Sequence, residues 1–201
     1  MVDPMLIIAS ALGTAFLLGV LRDEWRSAAY AVTLGGLSFM TLAAASWMWA
    51  FAVDGAAPVE ILTAGAKPPF AINLRMALPE SVLILLVNLT GLLSTLYLRD
   101  TIFKQGRRAM AVLLIFTMAL CGIILTRDIF ILFVFFELVV ISTAGLVLLS
   151  EDRRALGAGL KYLIASQLIS ILLLIGIIFS YHATGTLNID GMAGASAELM
   201  K

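Results

Sequence analysis

Glu137 and Lys161 are the two ionisable residues that sit well inside long apolar runs of this 201-residue sequence. A charged side chain at a membrane-helix centre costs about 2.5–3.5 kcal/mol on insertion scales, so such residues face protein or water and mark proton or ion routes by default. At helical spacing Glu137 meets Phe133, Val134, Val140 and Ile141, with Phe130 and Ala144 a turn further, and none of these can pair with a carboxylate. Ser142 and Thr143 point to other sides of that helix. The carboxyl is therefore protonated for part of the time or meets a cation from another helix, and a carboxyl balanced between those states suits proton relay. The alternative is a Glu bonded to a carbonyl or buried polar group for helix packing.

Lys161 lies about one turn inside its run, with Gly157 and Ala158 on the same helical face. It can carry protons, or it can snorkel its amine to the headgroups and do nothing else. Direct pairing with Glu137 is not expected, because an antiparallel hairpin leaves them offset by about 8 residues, roughly 12 Å along the axis. The weaker polar residues are Asn88, Thr90, Ser94 and Thr95 in one run and Ser166, Gln167 and Ser170 in another. They could wet a path but more often glue helices together. Glu80, Arg127 and Asp128 read as interfacial charges.

These residues need helices in a bilayer to position them. Hydrophobic residues make up 62% of the chain and charged ones 13%, with a mean hydropathy of +1.07. A soluble domain runs near 45–50% apolar and about 25% charged, which excludes a soluble enzyme, a nucleic-acid binder and a disordered linker. Thirteen basic and thirteen acidic residues balance, leaving no basic tail for a polyanion. One cysteine, Cys121, and one histidine, His182, exclude an intrachain disulfide framework and a Cys- or His-based metal cluster. No catalytic residue, metal site or cofactor is expected, and the single chain is not expected to be an enzyme.

Six runs are long enough to approach the roughly 20 residues that span a bilayer core. They are Met5–Leu21, Ala28–Val53, Ser81–Leu98, Ala109–Leu125, Ile129–Ser150 and Gly157–Tyr181. They show no period-2 alternation, so the fold class is all-α, a polytopic membrane protein of about six transmembrane helices. Residues 1–183 form the transmembrane domain and 184–201 an external tail, read as a strap or a disordered end. The first run reads as a retained helix, since Met1–Pro4 carries no positive charge. The first, third and fifth connections hold eight basic residues, Arg22, Arg26, Arg99, Lys104, Arg107, Arg108, Arg153 and Arg154. The other connections and the tail hold four, Lys67, Arg75, Arg127 and Lys201. The positive-inside rule then predicts odd connections in the cytoplasm and both termini external. The long connection Asp54–Pro79 is expected outside the membrane, with Pro58, Pro68, Pro69 and Pro79 breaking any regular helix.

The segment Thr126–Leu138, with its aromatic cluster before Glu137, and the segment Ala158–Gln167 around Lys161 resemble two consecutive helices of a known family. That family is the antiporter-like subunits shared by Mrp-type cation/proton antiporters, respiratory complex I and membrane-bound hydrogenases. Gly185–Thr186–Leu187 fits the same pattern, and Pro68–Ile72 is similar to the Mrp branch. Full members have about fourteen helices in two inverted repeats with broken helices at the half-channels. The resemblance therefore covers only their front part. It implies a subunit of a multi-subunit complex contributing to proton/cation translocation, on the pattern of an Mrp-type Na+/H+ antiporter. In that reading Glu137 modulates a lysine supplied by another chain that brings the remaining helices. Lys161 helps carry protons from the cytoplasmic side, and Glu80 corresponds to an acidic residue near the start of the third helix. The partners implied are other membrane subunits, protons, Na+ and lipid, with no nucleic acid. The alternatives are a membrane arm of a complex I-like or hydrogenase-type redox pump, or a purely structural and assembly subunit.

Overall fold

The computed structural model describes residues 3–62, 73–149 and 153–199. Eight helices run in chain order: α1 Met5–Val20, α2 Arg26–Ala52, α3 Leu78–Tyr97, α4 Arg99–Gln105, α5 Arg107–Leu125, α6 Ile129–Leu148, α7 Arg153–Thr184 and α8 Ile189–Leu199. Between α2 and α3 lie two short strands, β1 Val59–Leu62 and β2 Asn73–Met76. Five helices are long and apolar enough to cross a membrane, and α1 is apolar but only 16 residues long. The chain is an integral membrane protein built almost wholly of helices, and the six apolar runs of the sequence each fall on one of them.

α5 sits at the centre, packed against α1, α2, α3 and α6, while α7 lies outermost with α6 as its main neighbour. The core draws Ile7 and Leu18 from α1, Leu37 and Met40 from α2, Ile84 from α3, and Met110, Leu114 and Leu125 from α5. Polar groups inside it are satisfied locally. Thr33, Thr95 and Thr117 donate to the carbonyls of Ala29, Gly91 and Leu113, each four residues back. Asn88 donates to Ile84 O at 2.9 Å and faces the Cys121 thiol on α5. Of the polar residues of the third span, Asn88 reaches across to another helix, whereas Thr90 and Thr95 return their hydrogen bonds to their own.

The two ends of the bundle differ. At one end the first and third connections meet. Arg107 donates through Nε to Asp23 at 2.5 Å and through Nη1 to the carbonyls of Leu18 and Gly19, closing the C-terminus of α1. Gly106, at φ +80°, turns the chain sharply from α4 into α5, a conformation glycine adopts without strain. The other end is covered by extended backbone. β1 and β2 pair antiparallel with Glu60 opposite Arg75, and isolated bridges join Leu74 to Thr126 and Asp128 to Asn188. Residues around 59–62, 73–76, 126–128 and 187–189 thus form one hydrogen-bonded layer across that end.

The connection whose prolines exclude a regular helix holds a hairpin, because Val59, Ile61, Leu74 and Met76 alternate with polar residues and their apolar sides pack on the core. The tail expected to be a strap or disordered contains α8, which follows directly from a backbone anchor between Ile189 N–H and Arg127 O at 2.9 Å. The Pro68–Ile72 stretch lies outside the described residues.

Candidate functional site

α6 starts where Asp128 caps it, its Oδ1 accepting the N–H groups of Phe130 and Ile131 at 2.9 and 3.0 Å. From there Glu137 is eight residues along α6 from Ile129, about 12 Å at the helical rise and thus well below the capped end. α7 runs back antiparallel beside it, and Gln167 Nε2 donates to Glu137 Oε2 at 2.9 Å. The partner at the level of Glu137 is therefore a neutral amide, and no cation meets it among the described residues. An amide carries both a donor and an acceptor, so Gln167 can stay bonded whether the carboxyl is ionised or protonated. One turn further on α7, Ser170 is buried and its Oγ has no partner among the described residues. Carboxyl and amide form a polar link between α6 and α7, with the Phe130 and Phe133 rings a turn or two before Glu137 on α6.

Lys161 is not part of this link. It lies six residues before Gln167, about 9 Å along the axis, and at 100° per residue it falls on another side of α7. It is exposed, as is Gly157 on its face. Lys161 is thus offset from the level of Glu137 by six residues rather than the roughly eight expected, and the two are not brought together.

A second charged feature lies at the capped end. Glu80, in the first turn of α3, accepts the Ala77 N–H at 3.2 Å through Oε2 and binds Arg127 Nη2 at 2.8 Å through Oε1. The Glu80 side chain is 11% exposed and that of Arg127 24%. Arg127 is held by its backbone as well, donating to Asn73 O and accepting from Ile189 N. In the sequence these two look like separate interfacial charges; they are a mostly buried ion pair that ties α3 to the start of α6. The signal present in the sequence was Glu80 three residues after Ala77 with Pro79 between, a helix-start pattern that fixes the carboxylate near the helix N-terminus. No group of three or more His, Cys, Asp or Glu side chains that could hold a metal converges among the described residues.

A helical membrane domain with one carboxyl set between its two outer helices is the class this geometry defines. Residues 126–200, which include both Glu137 and Lys161, match the family described as NADH:quinone oxidoreductase/Mrp antiporter, transmembrane. An uncharacterized protein of Methanocaldococcus jannaschii is 49% identical over 74 residues, covering 37% of this chain and 15% of that protein. A Na(+)/H(+) antiporter subunit of Alkalihalophilus pseudofirmus is 31% identical over 135 residues, covering 66% of this chain and 27% of the relative. A chain of the membrane-bound sulfane sulfur reductase, an archaeal respiratory membrane complex, superposes with a TM-score of 0.86 at 29% identity, covering 94% of this chain and 39% of that one. The chain is related to the antiporter-like membrane subunits of Mrp antiporters and NADH:quinone oxidoreductases. It spans about a quarter or less of the length of these curated relatives and about two fifths of the solved chain.

Proposed function

We propose that this chain is the front part of an antiporter-like subunit that contributes to proton/cation translocation within a larger membrane complex, with Glu137 as its titratable centre. The observation that carries the reading is the hydrogen bond from Gln167 to Glu137. It holds a carboxyl inside the bilayer against a group that tolerates both protonation states, without locking it into a permanent ion pair. The proton is taken up and released at the Glu137 carboxylate, and Gln167 keeps that carboxylate oriented. A lysine from outside these 201 residues supplies the cation, and approach or withdrawal of that charge shifts Glu137 between ionised and protonated forms. Lys161, toward the basic end of α7, feeds protons from that side. The partners in this reading are further membrane subunits, protons and a cation such as Na+. A redox-driven membrane arm is the second reading, favoured by the likeness to a chain of the sulfane sulfur reductase complex.

The test is proton flux in vesicles at matched amounts of assembled complex. Glu137→Gln keeps the shape and an amide able to bond Gln167, so assembly survives while flux falls at least about tenfold, roughly 1.4 kcal/mol of barrier. Glu137→Asp retains part of the flux because it still titrates, and Lys161→Ala has the milder defect. A packing role gives the reverse order, with Gln mild and Asp worse. Wild-type flux in Glu137→Gln would end the reading.

Orientation belongs to the same proposal. The end of the bundle carrying Arg22, Arg26, Arg99 and Lys104 faces the cytoplasm of a prokaryotic cell, and both termini lie outside. A cysteine placed at position 104 should resist a membrane-impermeant label added to sealed cells; labelling there reverses the assignment.

A further inference from the structure

At the basic end a cavity of about 500 Å³ opens beside the start of α2 and α4, lined by Arg26, Arg99, Asp100, Phe103 and Lys104. Three cations stand there against one carboxylate. Among the described residues none of the three cations forms a salt bridge, since the ion pairs are Arg107 with Asp23 and Arg127 with Glu80. Two of the cations are instead held by neutral contacts. Arg26 Nη1 donates to the Phe103 carbonyl at 3.3 Å, and the Arg99 guanidinium lies 5.8 Å from the centroid of the Tyr30 ring. Tyr30 is fixed in turn by its hydroxyl donating to Thr95 O at 3.2 Å and by an edge-to-face contact with Phe103 at 6.2 Å. The fold therefore uses aromatic and carbonyl contacts to position guanidinium groups that no salt bridge among the described residues holds; Asp100 lines the pocket and Asp23 lies within electrostatic reach of Arg26, so the cations remain in excess.

The level of the pocket in the membrane is marked independently. Trp25 precedes α2 and Tyr97 ends α3, and they are 55% and 89% exposed. Exposed Trp and Tyr at helix ends sit at the headgroup boundary. Between them α4 buries Ile102 while Arg99 stays exposed and Lys104 lies at the rim, which is the arrangement of a segment lying in the interface. Leu96 and Leu98 are exposed just beside the pocket, an apolar surface for an acyl chain.

We propose that this pocket binds a phosphate group, and that the phosphate is that of an anionic phospholipid headgroup. Arg26 and Arg99 present planar donors to the phosphate oxygens, and Lys104 adds a point charge at the rim. The acyl chains continue along the exposed leucines. Nothing in the translocation reading requires this site, and it stands whichever leaflet the basic end occupies.

The full chain, purified with the subunits that accompany it, is placed in nanodiscs of phosphatidylcholine alone or with added phosphatidylglycerol. Retained lipid is counted by native mass spectrometry, and thermal midpoints are read with and without inorganic phosphate in solution. Wild type should retain phosphatidylglycerol in preference to phosphatidylcholine and gain thermal stability from it. Arg99→Gln/Lys104→Gln should lose about tenfold or more in apparent affinity, as expected for removal of two interfacial cations. Lys104→Gln alone, at the rim, should show a smaller loss and covers the case in which the double variant fails to assemble. Stabilisation by inorganic phosphate equal to that by the lipid keeps the phosphate site but overturns its assignment to lipid. Equal retention of the two lipids, or equal affinity in wild type and both variants, overturns the site altogether.

Discussion

The packed half of the molecule, built on α1, α2, α3 and α5, and the open half, α6 with α7, solve the same problem differently. Half of the apolar window of α5 is buried, against 11% of that of α7. In the packed half each buried hydroxyl named above returns its hydrogen bond to its own helix, and Asn88 is closed off by Ile84 O and Cys121. In the open half Glu137 reaches across to Gln167, and Ser170 has no partner among the described residues. Polar groups consumed by their own backbone stiffen a bundle and carry nothing. A carboxyl bonded across a single helix pair can change partner without dismantling the core. In the proposed function the titratable centre lies where the packing is sparse.

That contrast can be broken from the packed side first. Leu114→Ala, at a fully buried position of α5, should destabilise the domain by about 2–5 kcal/mol, read as a lower thermal midpoint and less assembled protein, with flux per assembled complex unchanged. A loss of specific flux larger than the loss of assembly would mean that the two halves are not separable.

A medium effect sharpens the boundary between them. Glu80→Gln leaves Arg127 mostly buried without its counter-charge, at a cost of about 1–3 kcal/mol, and loosens the start of α6 against α3. Amide exchange should rise in the Thr126–Ile131 segment and stay unchanged in the middle of α5. Uniform exchange across both would show that the ion pair does not hold the halves together.

The smallest effect is at Asp23. Arg107's hydrogen bond and charge hold the Asp23 carboxyl below its ordinary value of 3.8. The contact then contributes throughout the range above that value and is lost as pH falls through the lower folded value. Asp23 is largely exposed, so solvent screens the pair and the change is slight. Thermal midpoints of wild type and Asp23→Asn should differ a little at neutral pH and converge in strong acid. A difference that grows with acidification would reverse the sign.

Much of the bundle was legible because its code is coarse: a run of apolar residues near bilayer length has few other solutions. Glu137 and Lys161 stood out for the same reason, as charges where charge is costly. Sequence spacing also anticipated that they would not meet. Gln167 reads as glue because an amide in a helix carries no such penalty, and only the register of α6 against α7 puts it level with Glu137. The Glu80–Arg127 pair was hidden because 47 residues separate its members and each looks like a boundary charge. The hairpin was hidden for a different reason. Four-residue strands flanking a proline-rich stretch carry too little alternation to be distinguished from an irregular loop.

The length of α1 has its own consequence. Sixteen residues rise about 24 Å, some 6 Å less than a hydrocarbon core of about 30 Å. Pro4 and Asp3 fix one end, with Asp3 accepting the Met5 N–H, and Arg107 seals the other, so the helix cannot lengthen to compensate. The surrounding lipid has to yield instead. A leaflet that thins beside α1, a local preference for short-chain lipids and a rise in elastic strain there as the membrane thickens are the expected results.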